Sequence, residues 1–376
     1  MISNPLLKIR DLGQSIWLDY IQRGMLESGE IAQLIERDGL AGITSNPAIF
    51  EKAIVEHHDY DKAIAALVRR GMNTAEMYET LVLEDVGRAA DLFHPLYERT
   101  DGGDGFVSIE VSPHLAHDTE RTVREGRRLW EKLQRPNIMI KVPATIEGLP
   151  AIRQLLAAGI NVNVTLLFGL ERYRQVVDAF LTGLEDRVAT GQSPVAVASV
   201  ASFFLSRIDV LVDKKLDAPG ASGTGDARRE LRGHAAIASA RLAYQIYKEW
   251  VDDVRWRALA GRGARPQRLL WASTSTKDPT YSDVKYVEPL IGPQTVNTLP
   301  PETLDAYRDH GDPGARLEQE LAQSAALPEK LARVGVSLES VAQQLENEGV
   351  QKFIAPFDKL FTSLEQRRRQ TETEGA

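Results

Sequence analysis

Apolar and β-branched residues recur along the chain in eight short runs, at 15–21, 42–47, 105–113, 137–145, 161–168, 195–204, 268–276 and 295–300. Runs this short and this apolar predict strands covered on both faces, as in a parallel sheet. Stretches with helical spacing lie between most of them. Residues 77–100 precede the third run, 117–134 follow it with Asp118 as the expected N-cap, and 170–188 follow the fifth. Strands alternating with helices define βα units, and eight units predict an α/β chain folded as a (β/α)8 barrel. The link at 277–293 is rich in breakers and reads as poor in helix. No Gly-x-Gly-x-x-Gly loop follows the first run, which ranks an open doubly wound sheet below the barrel.

Three segments exceed a minimal barrel. Residues 48–100 are mostly helical patterns. Residues 213–262 hold a Gly-rich stretch at 218–225, expected to be flexible, and then a long helical pattern. From about 302 onward the chain reads as further helices, with a charged end at 366–376 expected to fray. The expectation is a single domain over 1–376 with helical insertions.

The polar positions change this picture from a scaffold to a site. Side chains alternate across a strand, so every second residue shares a face. Ser108 and Glu110 share a face in the third run, Lys141 lies opposite Ile138 and Ile140 in the fourth, and Asn163 and Thr165 share a face in the fifth. Asp19 follows Trp17, Asn46 closes the second run, and Ser273 and Ser275 follow Trp271. In strand after strand, one face is apolar and the other carries polar residues toward the C-terminal half. Barrel active sites are built from those strand ends. Lys141 is therefore expected to point inward among Asp19, Glu110, Asn46, Asn163 and Thr165. Burial disfavours a charged amine, nearby carboxylates favour it, and a neutral fraction attacks carbonyl carbons. The alternative is a structural Lys141–Glu110 ion pair.

Composition narrows the partners. The chain has 376 residues and a net charge of −8, which argues against a general nucleic-acid binder. It has no cysteine, so disulfides and thiolate chemistry are excluded. No signal-peptide pattern opens it and no apolar run is long enough to span a bilayer, so a cytoplasmic protein without membrane contact is expected. The seven histidines show no metal-ligand spacing. His57 and His58 read as exposed, His114 and His117 as loop packing near the mouth, and Lys214–Lys215 as a solvated face. Tyr281 and Tyr286 read as loop aromatics that pack locally rather than close over substrate.

The segments GITSNPAIF, VSIEVSPHLAHDT, NIMIKVPAT, INVNVTLLF and ASFFLSRID together resemble those of transaldolases, and the length resembles the longer bacterial form. The resemblance implies a cofactor-free, metal-free enzyme acting on sugar phosphates, a monomer or homodimer. Lys141 matches the Schiff-base lysine and Asp19 the acid/base for the C4 hydroxyl. Glu110 and Thr165 match the pair that handles a catalytic water. Asn46 and Asn163 match groups that hold donor hydroxyls and the enamine, and Ser202 and Phe204 match pocket residues. Arg207 matches one phosphate-binding arginine. A second is expected after the seventh strand, where this chain has Ser275 instead. Ser273 fits that segment and Lys277 lies two residues on, so Arg207, Ser273 and Lys277 are the expected phosphate group. Two other readings stay open: a related aldolase releasing free dihydroxyacetone, against which Glu110 argues because fructose-6-phosphate aldolases carry another residue there, and a barrel serving only as a binding module.

Overall fold

The structure, a computed structural model, describes residues 4–218 and 223–374. Eight strands close into one parallel barrel in chain order. They are β1 (Gln14–Leu18), β2 (Gly42–Ile43), β3 (Phe106–Glu110), β4 (Ile138–Pro143), β5 (Val162–Leu167), β6 (Ser199–Phe204), β7 (Arg268–Ala272) and β8 (Thr295–Leu299). β8 pairs with β1 from Gln14↔Thr295 to Leu18↔Leu299, which closes the ring and leaves no open edge. The (β/α)8 expectation holds, and each apolar run contributes its strand.

Inward rows follow the register. Glu110 lies beside Lys141, and Lys141 beside Asn163. The row below the mouth is packed tightly: a Cβ on Gly42 would lie 2.7 Å from both the Trp17 ring and the Phe106 carbonyl oxygen. Only glycine lets β2 pass there. At the opposite end, Arg268 is paired with Asp104 at 2.9 Å and Ser15 at 2.9 Å, so the floor of the barrel is a satisfied polar plug.

Left-handed residues interrupt two strands, β7 and β5. β7 stops at Ala272 because Ser273 takes a left-handed backbone, φ 54°. Trp271 faces outward and donates to the Leu290 carbonyl at 3.1 Å. The expected Trp271–Ser273–Ser275 face is therefore corrected: the turn at Ser273 resets the alternation, and the inward residues of β7 are Leu270 and Ala272. In β5 the register shifts between Val164 and Leu167, with Leu166 at φ 56°. This bulge lets Thr165 and Leu166 both face the mouth.

The insertion at 48–100 forms the helices Pro47–Glu56, Asp61–Arg69 and Thr74–Arg99. Asp118 caps the helix Thr119–Leu133 as expected. The link at 277–293 holds only the short 3-10 turn Glu288–Leu290. Of the Gly-rich stretch 218–225, residues 219–222 lie outside the described residues.

The C-terminal segment departs from expectation. The helix Leu338–Glu374 runs into the charged end as far as Glu374 instead of fraying, because its side chains find partners on the elements packed against it. Glu346 pairs with Arg172, Asp358 with His114, Lys359 with Glu51, and Arg367 with Asp61. Phe357 and Phe361 pack on Tyr78 with ring centroids 5.4 and 5.0 Å away. Gly349 permits close approach: a Cβ there would lie 3.0 Å from Leu166 of β5. This helix lies across the C-terminal mouth, against helices on both sides of it.

Candidate active site

Lys141 is 4% exposed. Its Nζ donates to the Ser45 carbonyl at 2.9 Å and lies 3.0 Å from Glu110 Oε1. That ammonium occupies Glu110 Oε1, while Glu110 Oε2 and the Thr165 hydroxyl are buried without a hydrogen-bond partner among the described residues. Buried acceptors and donors left open in this way are uncommon and mark a place built for something else. Burial pushes Glu110 above the usual carboxylate range, and the Lys141 charge pulls it back only in part.

Asp19 follows β1 by one residue, beside Lys141. Thr44 donates to Asp19 Oδ1 at 2.7 Å, and the Thr44 hydroxyl lies 2.7 Å from that of Thr298. Burial raises the pKa of Asp19, while Lys141 and the Thr44 hydrogen bond lower it. Asn163 is pinned from both sides: it donates to Ser108 at 3.0 Å and accepts from Ser202 at 2.7 Å. Ser108 and Ser202 thus fix the amide's orientation rather than merely fill the barrel.

Asn46 is placed by local helix chemistry. It caps the helix Pro47–Glu56, its Oδ1 accepting from Ile49 N at 3.0 Å, with Pro47 at the first helical position. That use of the oxygen leaves its NH2 end for a ligand.

A cavity of about 840 Å3 opens above these groups. Asp19, Asn46, Lys141, Thr165, Ser202, Phe204, Arg207, Ser273 and Lys277 all line it. Glu110 and Asn163 lie one layer behind. The ends of β6 and β7 are tied together: Ser206 N donates to the Ser273 carbonyl at 3.0 Å, and the two hydroxyls lie 2.9 Å apart. This brings Arg207, one residue along, to the side of Ser273. Arg207 sits 5.7 Å over the Phe204 ring and its Nη1 is buried without a hydrogen-bond partner. Burial lowers its pKa from the usual guanidinium range. Lys277 donates to Ser275 at 2.6 Å, so the serine at the position expected to hold arginine touches the lysine that follows it.

Several lining residues carry no signal in the strand pattern: Lys52, His57, Glu302, Lys352 and Phe353. His57 is corrected from exposed to half-buried, since it ends the helix Pro47–Glu56 and turns to the cavity. Thr44 was also missed, and the signal that could have found it is its place two residues after Gly42, on the inward face. His114 and His117 pair with Asp358 and Glu147, as loop packing predicts. Tyr281 and Tyr286 donate to Asp213 and Asp209, and so anchor the loop after β7 without facing the cavity. Among the described residues no group of three carboxylates or histidines is arranged to hold a metal, and no helix is long and apolar enough to cross a membrane.

A buried amine at a barrel mouth, with carboxylates beside it and cations at the rim, is an arrangement suited to carbonyl chemistry on an anionic substrate. The chain belongs to the Transaldolase/Fructose-6-phosphate aldolase family, whose model matches residues 16–364. It is 49% identical over 372 residues to Transaldolase 2 of Nostoc sp., covering 97% of this chain and 98% of that one. It is 48% identical to the transaldolase of Trichodesmium erythraeum, covering 98% of each. The transaldolase of Thermobifida fusca is 49% identical, with 97% of this chain and 98% of that one covered.

Proposed function

We propose that this chain is a transaldolase. It moves a dihydroxyacetone unit from sedoheptulose 7-phosphate to glyceraldehyde 3-phosphate, giving erythrose 4-phosphate and fructose 6-phosphate, in the pentose phosphate pathway of the cytoplasm. The observation that carries this reading is the placement of Lys141, buried at the floor of an 840 Å3 cavity and 3.0 Å from Glu110.

Lys141 attacks C2 of the ketose, and loss of water gives an iminium. Asp19 takes the proton of the C4 hydroxyl, the C3–C4 bond breaks, and its electrons pass into the iminium to leave an enamine. Glu110, with Oε2 open, and Thr165, with its hydroxyl open, guide the water that leaves and returns. Asn46 and Asn163 hold the donor's hydroxyls and the enamine, and Ser202 and Phe204 wall the pocket. Arg207, Ser273 and Lys277 bind the phosphate. An arginine and a lysine divide this task unequally, since only the arginine offers a planar fork.

Borohydride trapping tests the reading. The protein is mixed with fructose 6-phosphate and reduced, and its intact mass and peptide map are measured. A dihydroxyacetone-sized adduct on the Lys141 peptide is expected, with transfer to an added aldehyde phosphate. No adduct on folded protein would make Lys141 structural and overturn the assignment.

A further inference from the structure

We infer that Phe353, on the helix Leu338–Glu374, is a positioning residue that meters water to the Lys141 adduct and so keeps transfer ahead of hydrolytic release. The inference rests on the transaldolase reading above.

Beside the substrate cavity lies a second space of about 10 Å3, lined by Glu110, Thr165, Leu166, Val350 and Phe353 among others. That is about the volume one water needs. Its polar lining includes Glu110, whose Oε2 has no hydrogen-bond partner among the described residues, and Thr165, whose hydroxyl has none. Phe353 and Thr165 are the two residues that line both spaces. Thr165 supplies a polar atom at the shared wall and Phe353 supplies its apolar bulk, with 8% of its surface exposed.

The helix is shaped to bring the ring there. Gly349, one turn before, allows approach to Leu166 within van der Waals contact. Pro356, inside the same helix, offers no N–H to the carbonyl of Lys352, which loosens the helix at Phe353.

The chemistry explains why a one-water space differs from open solvent. The enamine on Lys141 has two fates. In transfer its carbon bonds to the acceptor aldehyde, and one water then frees the product from the lysine. In release the enamine itself consumes one water. The water oxygen becomes the ketone oxygen, one proton ends on carbon, the other on the lysine nitrogen, and the C–N bond breaks. Both fates need a water, but only release is favoured by plentiful water before the acceptor arrives. A wall that holds one molecule at Glu110 and Thr165, apart from the water of the wider cavity, limits the water that these two groups can deliver to the intermediate.

The test compares wild type, Phe353→Leu and Phe353→Ala. Two rates are measured on the full chain: dihydroxyacetone release from fructose 6-phosphate without acceptor, and transfer with acceptor. The ratio of release to transfer is expected to rise about tenfold in Phe353→Ala and about threefold in Phe353→Leu, as the wall thins. The borohydride-trapped fraction of Lys141 in the absence of acceptor should fall in the same order. A residue that only packs the helix would lower both rates together, and an unchanged ratio in whichever variant folds overturns the inference. Absence of adduct and transfer in wild type would instead overturn the transaldolase reading itself, and this inference with it.

Discussion

The Thr44 hydroxyl donates to Asp19 across 2.7 Å, and it is the hydrogen bond that steadies the Asp19 carboxylate in a site that otherwise raises its pKa. In the proposed role Asp19 accepts a proton only when ionised, so activity is expected to fall as pH drops through its raised pKa. Thr44→Val removes the donor and keeps the shape. The acid limb of kcat/KM is expected to move to higher pH, and kcat/KM at neutral pH to fall about tenfold, in line with a hydrogen bond to a charged group. A pH profile unmoved from wild type would show that Thr44 does not tune Asp19.

Asp19 also links function to stability. Burial makes the folded state hold the Asp19 proton more tightly than the unfolded chain does. Between the ordinary carboxylate pKa and the raised one, the folded state binds more protons, so stability declines as pH rises through that window. Asp19→Asn abolishes this cost. The variant is expected to melt higher than wild type at neutral pH, with the gap closing toward pH 4, the ordinary carboxylate range. Its kcat should fall by about 10²–10⁴, as for loss of a general acid/base. Melting curves at several pH values check the first part, and steady-state kinetics the second.

Lys277→Ala is expected to raise KM for phosphorylated donors about tenfold with little change in kcat, as loss of a point charge at a phosphate would. Arg207→Ala should cost more, because its guanidinium is half-buried with one nitrogen lacking a partner. Kinetics with phosphorylated and unphosphorylated donors separate phosphate binding from general damage. Equal effects on both donors would remove these residues from the phosphate site.

Gly42→Ala should leave the chemistry alone and damage the frame. Its Cβ would lie 2.7 Å from the Trp17 ring and from the Phe106 carbonyl. The expected loss is about 1–3 kcal/mol, the usual range for overpacking a core. Denaturant unfolding measures it, and a loss near zero would mean β2 yields more easily than its packing suggests.

What the chain revealed in advance follows from the range of the forces involved. Alternation within one strand is local, so Glu110, Lys141 and Asn163 were legible as one inward row, and the register places them side by side. Thr44 was missed, although its place two residues after Gly42 puts it on the same face of β2. Ser273 was placed correctly at the mouth but on the wrong face of Trp271, because a single left-handed residue ends the alternation and nothing in the run WASTST announces it. Lys352 and Phe353 were not legible at all. They sit on a helix whose facing depends on ion pairs and ring contacts with residues hundreds of positions away, such as Glu51 and Tyr78.

That helix has a consequence for how the protein fails. Most of its polar anchors are ion pairs with at least one exposed partner, each contributing about 0–1 kcal/mol, while the barrel beneath is closed by a continuous ladder from β1 to β8. The helix is therefore held chiefly by its buried apolar face, including Leu345, Val350, Leu360 and Leu364, while the barrel has a closed hydrogen-bonded ring as well. Under mild denaturant the helix is expected to detach first, with inactivation ahead of the loss of secondary structure. Amide exchange would register the same event as early loss of protection along Leu338–Glu374, with the strand amides still closed.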